Sequence, residues 1–213
     1  MMNRDSAQAA ERVSFRAGDL SPPLEVEEAW RAASWGLLAG LLAAPPAAGA
    51  LRRLAESAQA PSRENELDAA FAMLCLTAGR TKVDEVDDEY HELFIGLGRG
   101  ELLPYASWYQ TGFLMERPLS DLRSDLRSLG YCRSDEVHEP EDHAAALCEV
   151  MAMLIRDGQP LEVQARFFER HIANWMEDFF EDLASAESAV FYQSVGRLGV
   201  LFMQFEKAAF NMQ

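Results

Sequence analysis

YHELFIGLGRGELLPYASWY, residues 90–109, is the stretch on which the fold turns. An apolar stripe at helical spacing, Val83, Val86, Tyr90, Leu93 and Phe94, runs into it. Asp84, Glu85, Asp87, Asp88 and Glu89 lie mostly on the opposite, wet face. Gly96, Gly98, Gly100 and Pro104 then break the helix, and Tyr105, Trp108 and Tyr109 follow as helical spacing resumes near Ser107. The helix–glycine–aromatic order predicts a chain reversal inside an otherwise helical protein.

The same period recurs on both sides. Ser21 before Pro22 and Pro23 marks a helix start, because proline is accepted in a first turn whose N–H groups are unpaired anyway. Trp30, Ala33, Leu37, Leu38 and Leu41 continue that helix until Pro45 and Pro46 end it. A short helix carries Leu51 and Leu54 ahead of Pro61, and Leu67, Ala70, Phe71, Leu74 and Cys75 stripe the next, closed at Gly79. Beyond residue 107 the pattern pauses at Pro118 and runs through Leu122, Leu126 and Leu129 to Gly130. Residues 131–139 are polar and acidic and read as a hinge. Pro140 is expected to open a helix carrying Ala144, Leu147, Cys148, Met151, Leu154 and Ile155, and two long helices should follow at 160–183 and 186–210. No alternating β-branched run is long enough for a sheet, and no repeat of fixed period appears. The prediction is an all-α, single-domain helical bundle of roughly nine to ten helices over residues 21–213, behind a flexible leader at 1–20.

Composition narrows the function classes. A chain of 213 residues, 49% of them apolar, buries a sizeable core without disulfides or metals. A net charge of −16 argues against nucleic-acid phosphates and anionic membranes and favours basic partners, although surface acidity is also ordinary for soluble proteins. Cys75, Cys132 and Cys148 form no CxxC pair, and Cys75 and Cys148 sit at apolar helical positions as small core residues. The N-terminus lacks a secretory apolar region. The longest apolar stretch, residues 35–48, falls short of ~20 residues and holds two prolines. No integral membrane segment and a cytoplasmic, reducing location are therefore expected.

Catalytic and metal chemistry find little footing. Asp88-x-x-His91 and Asp135-x-x-His138 have helical ligand spacing, but the paired Glu-x-x-His of di-iron bundles is missing, and no metal or other cofactor is predicted. There is no G-x-S-x-G elbow, and the glycine run follows a helix without the Lys-Ser/Thr of a phosphate loop. The chain reads as a non-enzyme. The run HEPEDH, residues 138–143, is the second singular stretch. With Pro140 at a helix start, Asp142 falls in the first turn, where capping alone explains it. The positive helix end keeps His143 mostly neutral, and a neutral His beside an Asp also makes a donor–acceptor pair for a peptide. Tyr90 and Phe94, four apart, fit a core, whereas Tyr105 and Trp108 fit the wall of a cleft.

YHELFIGLG, PYASWY and EPEDH, in this order and separation, resemble the TorD/DmsD family of redox-enzyme maturation chaperones. FFERHIANWMEDFFEDL and AVFYQSVGRLGVLFMQFE resemble that family's last two helices, so the likeness runs over residues 29–206. It implies an all-helical cytoplasmic chaperone that binds the twin-arginine signal peptide, the apo form, or both, of a molybdenum-containing oxidoreductase precursor. Such a chaperone assists cofactor insertion and delays export. Carried over residue by residue, the peptide-binding surface comprises Tyr90, Leu93, Phe94, Gly96 and Gly98, then Pro104, Tyr105, Ser107 and Trp108, then Glu139, Pro140, Asp142 and His143. The chain departs from the family at Leu97, Leu103 and Ala106, where Gly-Pro-Gly, Pro-Pro and an acid are frequent. The alternatives are a helical adaptor and a weak guanine-nucleotide-binding protein. Either a monomer or a dimer fits, since a hinge at 131–139 permits exchange of the C-terminal helices.

Overall fold

A computed structural model describes residues 24–57, 65–134 and 137–211. Among them are ten α-helices and no strand: α1 Val26–Ala43, α2 Ala48–Glu56, α3 Glu66–Ala78, α4 Val83–Tyr90, α5 Ala106–Thr111, α6 Arg117–Ser128, α7 Ala144–Arg156, α8 Leu161–His171, α9 Met176–Ser185 and α10 Phe191–Asn211. A π-helical turn, His91–Ile95, extends α4. The all-α expectation holds. The leader at 1–20, the helix start at Ser21, Pro22 and Pro23, the Pro61 stop and residues 135 and 136 of the hinge lie outside the described residues.

The core follows from where the apolar stripes point. In α7 nearly every face is apolar, so it takes the centre, with Leu147, Cys148, Met151, Leu154 and Ile155 wholly buried. Its largest contact is with α1, which buries Trp35, Leu38 and Leu42. On the other flank α10 packs on α9 and α3. The α9 contact is close because α10 has no side chain at Gly196 and Gly199. A Cβ at Gly196 would stand 2.5 Å from the Ala184 nitrogen, and one at Gly199 would stand 2.2 Å from the Phe180 ring.

Buried polar groups fix the ends of these helices. The Glu89 carboxylate on α4 accepts the N–H groups of Val190, Phe191 and Tyr192 at 2.7, 3.0 and 2.7 Å, so a negative charge sits on the positive start of α10. Near the other end of α10, Glu206 accepts two guanidinium bonds from Arg31 at 2.7 and 2.8 Å and the Trp35 indole N–H at 3.1 Å. A further Arg31 nitrogen donates to Gln164 of α8 at 3.1 Å. Where Pro45 and Pro46 stop α1, its last carbonyls are taken by hydroxyls: Tyr192 donates to Leu41 O at 2.9 Å and Tyr90 to Leu42 O at 3.2 Å.

Several helix boundaries differ from the sequence expectation. The pause falls at residues 112–116, and Pro118 sits inside the first turn of α6, where its missing N–H does no harm. The expected helix at 160–183 is two helices, because the chain turns at 172–175 and buries Trp175 with its indole donating to His171 O at 2.8 Å. The apolar pattern continues across that turn, which hides it from periodicity. The last helix begins at Phe191, five residues later than expected, where Glu89 caps it. Pro140 does not open a helix: α7 starts at Ala144.

Two outcomes are expected in urea unfolding. Glu89→Ala strands three N–H groups and should lower stability by about 2–4 kcal/mol. Gly196→Ala must push α9 away and should lose about 1–3 kcal/mol. An unchanged midpoint in either variant would contradict the packing described.

Candidate functional site

The π-turn and the glycine loop form one reversal. Gly96 N–H donates to His91 O at 2.7 Å, a five-residue step that inserts one extra residue and turns Leu93 into the core. Gly96 has φ +61°, and a Cβ there would lie 2.0 Å from Arg99 O. At Gly100 a Cβ would meet Phe94 C at 2.5 Å. The loop then folds back, Leu102 N–H donating to Leu93 O at 2.8 Å. The glycines therefore serve the tight reversal, as the sequence predicts.

Immediately afterwards residues 104–107 lie antiparallel to residues 142–144. Ala106 N–H donates to Asp142 O at 2.9 Å, and Ala144 N–H donates to Pro104 O at 2.8 Å. Tyr105 and His143 form an isolated β-bridge with their rings 5.1 Å apart. The two motifs, 35 positions apart, are thus laced into one unit.

The roles of Asp142 and His143 differ from the sequence reading. Asp142 does not occupy the first turn of α7; its Oδ2 accepts Ser107 N–H at 2.9 Å and so caps α5. It is 1% exposed, and its Oδ1 has no hydrogen-bond partner among the described residues. The cap of α7 is His143, whose Nδ1 accepts Ala145 N–H at 3.1 Å. An imidazole accepting at Nδ1 must be unprotonated there. Burial lowers its pKa to about 4, and the nearby Glu139 and Asp142 carboxylates offset this only in part. The expectation of a neutral His143 is met, with burial as the largest cause at a residue that also stands at the positive start of α7.

Around this clasp the other named residues divide by exposure. Tyr90 and Leu93 are core, Phe94 packs on Tyr90 and Tyr192, and Pro104 and Ser107 are buried. Tyr105 and Trp108 are half-buried, while Gly98 and Glu139 face solvent beside the half-buried Gly96 and Pro140. Tyr105 donates to Glu139 at 2.5 Å; burial, then this bond, raises its pKa well above the phenol range. Tyr109 likewise donates to Asp182 at 2.8 Å with its ring on Trp175. Arg123 holds Glu141 through bonds of 2.8 and 2.9 Å, tying the EPEDH segment to α6. Burial opposes ionisation of Glu141, but the Arg123 bonds prevail and its pKa falls.

Several nearby residues escaped the sequence reading. Arg99 lays its guanidinium 4.5 Å above the Trp108 ring. After Gly112, in the left-handed region, Phe113, Leu114 and Met115 are exposed, and Met115 itself has φ +61°. Their only sequence signal is an apolar triplet directly after a glycine. Beside Asp142 a cavity of about 270 Å³ is lined by Gln110, Arg117, Asp121, Arg170 and His171. His171 bonds Asp125 at 2.7 Å, and burial lowers its pKa against that carboxylate's pull. Among the described residues no His/Cys/Asp/Glu cluster is arranged to hold a metal, and no helix is long and apolar enough to cross a membrane.

Residues 50–181 match the family described as nitrate reductase delta subunit. Chaperone protein TorD of Vibrio cholerae serotype O1 is 28% identical over 134 residues, which cover 58% of this chain and 61% of that relative. Chaperone protein TorD of Actinobacillus pleuropneumoniae serotype 3 is 31% identical over 134 residues, 61% and 65% of the two chains. That of Aliivibrio fischeri is 24% identical over 166 residues, 72% and 77% of the two chains. The chain thus spans less than two thirds of the length of the first two relatives it matches.

The buried His143 sets a pH dependence. An unfolded chain takes up a proton at this imidazole near its ordinary value of 6.5, while the folded chain resists until about pH 4. Between those values the unfolded state binds more protons, so stability falls as the pH falls. The contribution is fully present above about 6.5 and its loss reaches about 3 kcal/mol near pH 4. His143→Asn keeps a cap acceptor and removes this titration. Its urea midpoint should therefore change less than the parent's between roughly pH 7 and pH 5, with His171 still contributing in the same direction. Identical pH slopes would contradict the assignment.

Proposed function

The chain belongs to the nitrate reductase delta subunit family, and from that membership we propose that it is a maturation chaperone for a redox enzyme, akin to the TorD chaperones. It acts in the cytoplasm, binds the twin-arginine signal peptide or apo form of a molybdenum oxidoreductase precursor, and delays export until the cofactor is inserted. The observation that carries this reading is the joining of the glycine–aromatic segment to the EPEDH segment through the Asp142 and His143 clasp. Beside that union Tyr105 and Trp108 are half-buried, Tyr105 bonded to the Glu139 carboxylate and neighbouring Tyr109 to that of Asp182. A signal peptide joins a basic stretch to an apolar one, and aromatic walls beside carboxylates complement both. The excess of 16 negative charges steers a basic leader from a distance.

In this reading the thirteen residues carried over from the family do three jobs. Tyr105, Trp108 and Glu139 touch the peptide. Asp142, His143, Ser107, Pro104 and Pro140 hold those three in place, and Tyr90, Leu93, Phe94, Gly96 and Gly98 shape the reversal. Residues 131–139 serve as the hinge between the two halves of one chaperone domain.

Calorimetric titration with leader peptides of molybdenum oxidoreductases, each matched by its mature domain, tests the proposal. One leader should bind with a Kd on the order of 1 μM, and Trp108→Ala should weaken it about tenfold or more, roughly 1.4 kcal/mol. Binding to a mature domain alone, with every leader silent, would overturn signal-peptide recognition.

A further inference from the structure

Resting on the leader-binding reading, we propose that the face of Trp108 is a guanidinium subsite, which the chain fills with its own Arg99 until an arginine of the leader displaces it. Arg99 thereby acts as a specificity-determining residue. It keeps the ring from ligands that bring no comparable cation.

The subsite is visible because it is occupied. The Arg99 guanidinium lies 4.5 Å from the centre of the Trp108 ring, within the range of a cation–π contact. Trp108 is half-buried, stacks on no other described ring, and its indole N–H donates to no described residue. The tryptophans that serve the core differ. Trp35 and Trp175 are buried, and their indoles donate to Glu206 and to His171 O. Tyr109, next to Trp108, packs its ring on Trp175 and Phe179. Trp108 therefore presents a ring face that the packing of the chain leaves to Arg99.

Arg99 in turn differs from the arginines around the clasp. Arg117, Arg123, Arg133 and Arg170 each pair with a carboxylate, that of Asp121, Glu141 or Asp125. Arg99 is exposed and pairs with no described carboxylate, although the chain carries 16 excess negative charges. Its backbone is held on both sides. A Cβ at Gly96 would stand 2.0 Å from Arg99 O, and one at Gly100 would stand 2.5 Å from Phe94 C. The side chain alone leaves the ring, by rotation about its own bonds.

An exposed cation–π contact is weak enough to exchange. A peptide guanidinium meets the same ring face with the same planar stacking geometry, while Arg99 returns to water. One contact is lost and an equivalent one forms, and the charge facing the ring is unchanged. A peptide without arginine loses the Arg99 contact and forms none in its place, so the subsite discriminates against it.

Leader peptides of molybdenum oxidoreductases, each also made with glutamine in place of its two arginines, are titrated calorimetrically into the full chain. The variants are Arg99→Ser, Trp108→Leu, the two combined, and Arg127→Ser, which removes an exposed charge on α6. Circular dichroism and urea midpoints confirm their folds. Arg99→Ser should tighten the arginine leader about two- to fivefold and leave its glutamine counterpart unchanged. The gain should vanish in the Trp108→Leu background and be absent in Arg127→Ser. Unchanged or weaker binding of the arginine leader by Arg99→Ser would overturn the inference while leader recognition stands. Equal tightening of both peptides would reduce Arg99 to a general shield and overturn it too. A gain that survives in Trp108→Leu, or recurs in Arg127→Ser, would assign the effect to net charge and overturn it likewise. A parent that binds no leader removes the functional reading and this inference together.

Discussion

The Glu89 carboxylate is the constraint on which the rest of this structure depends. It is nearly buried, it accepts three consecutive N–H groups at the start of α10, and it stands two residues before the π-turn. A charged acceptor bonded to several backbone donors is among the stronger polar arrangements available to a protein interior. Here it sets the starting point of the longest helix and fixes α4 to it. Tyr90 and Tyr192, the neighbours of that contact, reach the last carbonyls of α1. Three helices thus meet through one carboxylate and two phenols. The pairing of Arg31 with Glu206 does the equivalent work near the far end of α10, bringing in α8 through Gln164.

From that anchored base the site is built outward in a fixed order. The π-turn adds a residue, the glycines reverse the chain, and residues 104–107 emerge alongside residues 142–144. Two short helix starts are capped across this junction, α5 by Asp142 and α7 by His143. Each cap comes from the EPEDH segment, so losing either would loosen both strands of the clasp. This explains why residue types associated with recognition are found buried. An Asp and a His that hold the scaffold leave Tyr105 and Trp108 half-buried at the edge of the clasp.

Much of this was legible in the sequence, for particular reasons. Apolar residues at helical spacing identified α1, α2, α3, α4, α6 and α7, because a helix that buries one face must repeat near every 3.6 residues. The glycines at 96 and 98 announced positive φ, which both adopt. What periodicity missed were features without a period. The turn at 172–175 leaves the apolar pattern intact on both sides. The start of α10 depends on Glu89, about a hundred positions upstream, and the cap of α5 comes from Asp142. The exposed turn at 113–115 looks like core in a sequence, since apolar residues carry no label of exposure.

By itself the sequence determined the helical class, the approximate number of helices and the site of the chain reversal. Those follow from local terms: spacing, backbone freedom at glycine and the missing N–H of proline. Tertiary structure alone decided which motif residues lie at the surface and which face inward. It also decided that Asp142 serves a helix other than the one it precedes, and that Arg99 covers the Trp108 ring. The physical reason is common to all three. A hydrogen-bond acceptor or an aromatic face takes whichever partner the packed chain brings within about 3–5 Å, and sequence distance places no limit on that choice.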